Sequence, residues 1–369
     1  MHEERAWKKT IRLILTFIIG ALGDIAFSLL HIPLHWVLGP AAALLAASHL
    51  FKEKLYWPTA IRNVGLIPIG YTLGAPVTAA TLAEMARQLP TMMLATVLML
   101  LFSFVVSSLV AKWTHLSLRS VVTGCIPGGL SQMLVLGEEL KGVDPTVVTL
   151  FQVMRLMGVV FLVPLIALSP LLSEGAAGAT DAGMAGGPDW TVGLALLYAA
   201  VTVAGALVGK RLRLPTAYLL GPIIGTAALV LVGTPAPHLP APLLDVAQIT
   251  MGTYLGLMLK PTAIEGKGKV MAASVLAGCA LILFSMLSAF VLMSWHRIPY
   301  LTAFIALAPG GMDQMGILAQ EAHASLAIVT GYQMFRIFFI LFVVPPALKT
   351  LFSTRWFRRL EQWQTQQHG

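Results

Sequence analysis

Pro127-Gly128-Gly129-Leu130-Ser131-Gln132-Met133 returns 182 residues later as Pro309-Gly310-Gly311-Met312-Asp313-Gln314-Met315, and each copy interrupts an apolar run. A proline followed by two glycines breaks a helix and lets backbone approach backbone or a ligand closely. The amide groups freed by such a break must be satisfied, and at membrane depth it is tolerated only inside protein or beside a wet cavity. Ser131 and Asp313 come next, both favourable N-cap types, followed by Gln132 and Gln314 in the first turn. The pattern predicts a new half-helix in each copy, its positive dipole end near the membrane interior. A glycine hinge for tight helix packing would explain one copy alone; two copies sharing Gln and Met make a built site the better explanation.

The spacing extends outward from the motif. Ile-Pro-Leu-His-Trp-Val-Leu-Gly-Pro ending at Pro40 aligns with Leu-Pro-Thr-Ala-Tyr-Leu-Leu-Gly-Pro ending at Pro222, and Gly70 and Gly74 align with Gly252 and Gly256, all at the same offset. Beyond one net deletion the offset becomes 181, pairing Gln152 with Gln333, Arg155 with Arg336 and Pro164 with Pro345. A register held over so many residues marks an internal duplication.

The composition says where the duplicated unit resides. Of 369 residues, 57% are hydrophobic and only 11% charged, with a mean hydropathy of +0.82, against about 25% charged in soluble domains. This is a membrane protein. Apolar runs cover 13–30, 36–51, 58–77, 91–111, 121–137 and 145–168, and recur at 190–209, 218–232, 243–259, 270–293, 302–319 and 326–348. The division is therefore a basic amino-terminal segment (1–12), a first repeat (13–168), a linker (169–189) rich in Gly and Ala, a second repeat (190–348) and a basic tail (349–369). The first run is long enough to span and has no convincing cleavage site after it, so it reads as a retained helix.

The net charge of +8 is a topology signal, because Lys and Arg in short loops stay on the cytoplasmic side. With five full crossings per repeat and the Pro-Gly-Gly segment dipping in and returning, both termini and nineteen of the 24 basic residues are cytoplasmic. Arg87, Arg297 and the acidic linker then face outside, while Arg62, Arg155 and Arg336 lie within apolar runs. Five is odd, so the two repeats are inverted. Counting Pro-Gly-Gly as a sixth crossing gives parallel repeats instead, but it moves Lys141 outside and inverts the second half, which the charge census disfavours.

Arg155 and Arg336 each lie about ten residues into an apolar run, close to mid-bilayer at 1.5 Å per residue. A buried arginine is costly and is usually paired or functional. Gln152 and Gln333, three residues earlier, share its helix face. The arginines would contact a ligand or satisfy carbonyls freed at the break, and these roles are compatible. Half-helix amino termini, glutamine amides and guanidinium groups together favour an anion site at the repeat interface. Its candidate residues are Pro127, Gly128, Gly129, Ser131, Gln132, Gln152 and Arg155, with Pro309, Gly310, Gly311, Asp313, Gln314, Gln333 and Arg336.

Other features carry less. The glycine pairs 70/74 and 252/256 read as close packing and leave room for a homodimer, and Gly39-Pro40 and Gly221-Pro222 as further helix breaks. Glu139 and Glu321 would carry a coupling proton or cap a solvated loop end. Enzyme chemistry finds little: His31 and His35 are separated by Pro33, Cys125 and Cys279 sit in apolar runs, and no phosphate loop or nucleophile elbow appears. No cofactor is expected, nor direct nucleic-acid binding, since the basic residues are spread over loops.

With the doubled motif and the Gln-x-x-Arg pairs in view, residues 13–348 resemble the bacterial membrane AbrB family, which is distinct from the small soluble DNA-binding AbrB regulators. The resemblance implies an inner-membrane protein, and carries the labels of regulator of gene expression and of ammonia monooxygenase. The residues supply no persuasive metal set for the second label. The expected fold is all-α and polytopic, about ten spanning helices in two inverted repeats, each with one broken or re-entrant helix. The expected function is a secondary transporter or permease for a small anionic solute; the alternative is a membrane sensor that affects gene expression indirectly.

Overall fold

The computed structural model describes residues 2–30, 32, 34–50, 55–169, 191–214, 216–258, 268–357, 359 and 361. The 169–189 linker, apart from its first residue, falls outside that range. The described residues are helical throughout, without a strand: α1 (His2–Leu29), α2 (His35–Leu50), α3 (Thr59–Gly74), α4 (Ala79–Thr114), α5 (Leu118–Cys125), α6 (Leu130–Glu139) and α7 (Pro145–Ala167), then α8 (Val192–Arg211), α9 (Ala217–Leu231), α10 (Ala241–Met258), α11 (Gly268–His296), α12 (Tyr300–Leu307), α13 (Met312–Glu321) and α14 (Leu326–Ser353).

Six helices, α1, α4, α7, α8, α11 and α14, are long and apolar enough to cross a membrane. Helices α2 and α9 are apolar but shorter; at 16 residues α2 would extend only about 24 Å, less than a bilayer core of about 30 Å. Both expected Pro-Gly-Gly breaks are present, one between α5 and α6 and the other between α12 and α13. The expected breaks at Gly39-Pro40 and Gly221-Pro222 are not: Pro40 lies inside α2 and Pro222 inside α9. Proline close to a helix start forfeits few hydrogen bonds, so the helix continues past it.

The chain forms two compact units, and each draws on both halves of the sequence: Met1–Ala86 with Ala176–Pro261 and Gly316–Ile328, and Arg87–Gly175 with Thr262–Met315 and Val329–Gly369. Glycine contacts hold the first unit together. A Cβ on Gly23 would lie 2.4 Å from the carbonyl of Gly39, and one on Gly205 2.5 Å from that of Gly221, so α1 meets α2, and α8 meets α9, backbone to backbone. Gly70 would meet the Leu219 carbonyl at 2.7 Å, and Gly252 the Val37 carbonyl at 2.4 Å. Residue 219 stands 182 after residue 37, as Gly252 does after Gly70. The same contact thus occurs twice with its partners exchanged. These glycine faces, expected to serve close helix packing, are buried against helices of the same chain.

Two left-handed residues recur at the same interval, Leu34 with Thr216 and His115 with Arg297. In the second unit, α7 starts where Asp144 accepts a hydrogen bond from the Thr146 amide at 2.8 Å and Pro145 occupies the first turn.

Candidate functional site

The site is built from the two broken helices and the long helix that follows each. Helix α5 stops at Cys125, Ile126 is extended (φ −60, ψ 127), and α6 starts after Gly129 (φ −68, ψ 136). In the second copy α12 stops at Leu307 and Ala308 is extended (φ −54, ψ 135). None of the motif glycines needs a positive φ; what they provide is space. A Cβ on Gly310 would lie 2.8 Å from Val159, and one on Gly311 2.5 Å from the Gln314 side-chain oxygen.

The break leaves carbonyls at the end of α5 and α12 without helical partners, and the arginines answer them. Arg155 Nη1 donates to Ile126 O at 3.0 Å and Nη2 to Gly128 O at 3.0 Å, while Gln152 Nε2 donates to Ile126 O at 2.9 Å. Arg336 Nη1 donates to Ala308 O at 2.7 Å and Leu307 O at 3.3 Å, and Nη2 to Gly310 O at 2.7 Å. Gln333 Nε2 reaches Ile305 O and Ala306 O at 3.1 and 3.2 Å, and its Oε1 accepts from Arg336. Each cation therefore sits at the negative end of a short helix. The two cradles differ in how many donors they use. Arg336 has both terminal nitrogens doubly engaged, whereas Arg155 Nε and Gln152 Oε1 are buried without a hydrogen-bond partner.

Arg155 is 7% exposed and Arg336 5%. Neither has a carboxylate partner among the described residues. A Cβ on Gly278 of α11 would lie 3.3 Å from the Arg155 Cα. Thr96 stands 182 residues before Gly278, and with Ser288, Tyr332 and Arg336 it borders a cavity of about 20 Å³, room for one water-sized guest.

The predicted caps are corrected by the structure. Gly129 is the N-cap of α6, so Ser131 falls at the second helical position. In α13, Gln314 Oε1 accepts from the Gly311 amide at 2.7 Å, the reciprocal half of a capping box, and Asp313 lies buried in the first turn. Pro127 and Pro309 are buried, Gly129 is exposed, and Gly128, Gly310, Gly311, Gln132 and Gln314 are half-buried. All fourteen predicted residues belong to the second unit.

Glu139 and Glu321 are exposed, and Glu139 pairs with Lys349 at 3.1 Å, as a solvated loop end would. Sequence reasoning missed a hydrogen-bonded pair in the first unit: His35 Nδ1 lies 2.7 Å from Asp24 Oδ1. The available signal was Asp24 itself, a carboxylate inside the first apolar run. No cluster of three or more His, Cys, Asp or Glu that would hold a metal occurs among the described residues, so the copper or iron of a monooxygenase finds no fitting ligand set there.

The family model described as "Transition state regulatory protein AbrB" matches residues 36–352, most of the chain. The chain belongs to the AbrB family. Among AbrB-family relatives, the Escherichia coli (strain K12) protein named "Putative regulator AbrB" is 26% identical over 342 residues, covering 91% of this chain and 95% of its own. The Bacillus subtilis (strain 168) "Uncharacterized protein YhjN" is 23% identical over 358 residues, covering 90% and 91%. Both similarities run through both Pro-Gly-Gly motifs' span of the chain.

Proposed function

We propose that this AbrB-family protein is a secondary transporter for a small anionic solute, held in the bacterial inner membrane as two inverted repeats (13–168 and 190–348) with both termini cytoplasmic. One observation carries the reading: two buried guanidinium groups, each held at a helix break by carbonyls alone and neither paired with a carboxylate among the described residues. Carbonyl dipoles offset part of that charge, and a bound anion would offset the remainder. The amino-terminal turns of α6 and α13 add backbone donors beside it. Arg155, with donors to spare, would grip the solute, and Gln152 would orient it.

The exchanged glycine contacts and the helix ends that recur at one interval support a two-fold relation between the repeats; the placement of Lys and Arg supports its inverted sense. Five crossings per repeat then comprise three long helices and two short ones, with the broken helix re-entrant.

Thermal melting of the detergent-purified protein against small carboxylates, phosphate and sulfonates tests the anion site: a raised midpoint for at least one class is expected, and unchanged melting across the panel overturns it. The relative named as a regulator supports a second reading, a sensor that binds the anion without moving it. Uptake into proteoliposomes separates the two, because a sensor binds but does not accumulate solute.

A further inference from the structure

The Asp24–His35 pair lies outside the arginine cradles, and the duplication supplies its own control. Asp24 belongs to the span Lys9–Leu29 of α1 and is 7% exposed; His35, the first residue of α2, keeps 27% of its side chain exposed. The helix crossing is pinned beside them, since a Cβ on Gly39 would lie 2.8 Å from the Asp24 Cα. Half-buried Asp245 stands on α10, which packs on α2 through Gly252 and Gly256. Few other charges bear on the pair: α2 carries no Asp, Glu, Lys or Arg, α10 contributes Asp245 alone, and the nearest charge on α1 is Arg12, about three turns away.

In the second half of the chain the same crossing is made by Gly205 and Gly221. There the positions matching Asp24 and His35 are Ala206 and Ala217, and Asp245 matches Asn63 in the first half. The crossing therefore closes without the charges, and closing it does not explain a carboxylate that is costly to place in a span.

We propose that Asp24 and His35 form a proton-binding site that couples proton entry to solute movement, a proposal that rests on the transporter reading above. With the imidazole neutral, its Nδ1–H donates to the Asp24 carboxylate. As a proton from water adds to the outward nitrogen, Nε2, the Nδ1 proton passes to Oδ1 of Asp24, leaving a neutral imidazole and a neutral carboxyl. The pair gains one proton and one positive charge. Half-exposed His35 is the entry point, and buried Asp24 is the acceptor.

Infrared titration of the detergent-purified full chain between about pH 5 and pH 8, where histidine sites titrate, reads the site directly. The expected result is a protonated-carboxyl band that grows as pH falls, is absent in Asp24→Asn, and has its midpoint moved by about tenfold in proton concentration in His35→Gln. No such band in the wild type, the same band in Asp24→Asn, or an unmoved midpoint in His35→Gln, overturns the proposal. A double variant Asp24→Ala/His35→Ala, copying the second half, is expected to melt close to the wild type; a collapse in melting assigns the pair to structure and also overturns it. In proteoliposomes offered acetate, phosphate and methanesulfonate, a pH gradient is expected to drive uptake in the wild type and not in Asp24→Asn. Uptake indifferent to both gradient and substitution removes the coupling and leaves the transporter standing. A titrating band with no uptake of any probe removes the transporter reading and, with it, the coupling.

Discussion

Arg336 reaches back 28 residues to hold the carbonyl of Ala308, the first residue after α12, at 2.7 Å. Because the same guanidinium also holds Leu307 and Gly310, one side chain closes the whole break. Replacing it by Gln removes its bonds to the Leu307 and Gly310 carbonyls, although Ala308 O keeps the Gly310 amide at 2.8 Å, and each buried carbonyl left unanswered costs about 1–3 kcal/mol. Arg336→Gln is expected to lower the melting midpoint more than Arg155→Gln, whose arginine holds two carbonyls. Melting curves of the two variants in one detergent check the order.

Gln314 should matter as a cap. Its side-chain oxygen holds the Gly311 amide at 2.7 Å, and Gln314→Ala is expected to cost about 1 kcal/mol, with Gln314→Glu keeping most of it. Denaturation of both variants, measured without any added anion, isolates the structural part of the role.

Glycine contacts in the first unit predict a sharp contrast. A Cβ on Gly221 would sit 2.2 Å from the Gly205 carbonyl, whereas one on Gly193 meets nothing within 4 Å. Gly221→Ala should destabilise by about 1–3 kcal/mol, and Gly193→Ala should do no harm. Equal melting of the two variants would mean that the backbone contact is not as close as described.

Glu139 is predicted to be dispensable. Its pair with Lys349 is 55% exposed on both sides, and such surface pairs contribute about 0–1 kcal/mol. Glu139→Gln should melt and take up solute as the wild type does; loss of uptake would return this glutamate to the list of coupling groups.

Much of this arrangement was legible in the residues. Pro127-Gly128-Gly129 forces a break wherever it falls in an apolar helix, and Gln152 and Arg155 had to share a face because three residues separate them. What escaped was set by distance along the chain. Nothing local says that Gly70 will meet Leu219 and not a second molecule, because a close-packing face carries no address for its partner. Nor does an N-cap residue type guarantee the cap: at Gly311 the job passed to the Gln314 side chain, and the α6 cap moved to Gly129. Nor does the pattern say that Asp24 and His35, eleven residues apart on separate helices, will meet.

The account's central claim is that this AbrB-family protein moves a small anion past two buried arginines. Uptake of radiolabelled acetate, phosphate and methanesulfonate into proteoliposomes, compared with protein-free liposomes, tests it most directly. Accumulation of at least one anion, abolished by Arg155→Gln in protein that still melts cooperatively, is the predicted result; no accumulation of any of them by folded wild-type protein would contradict it.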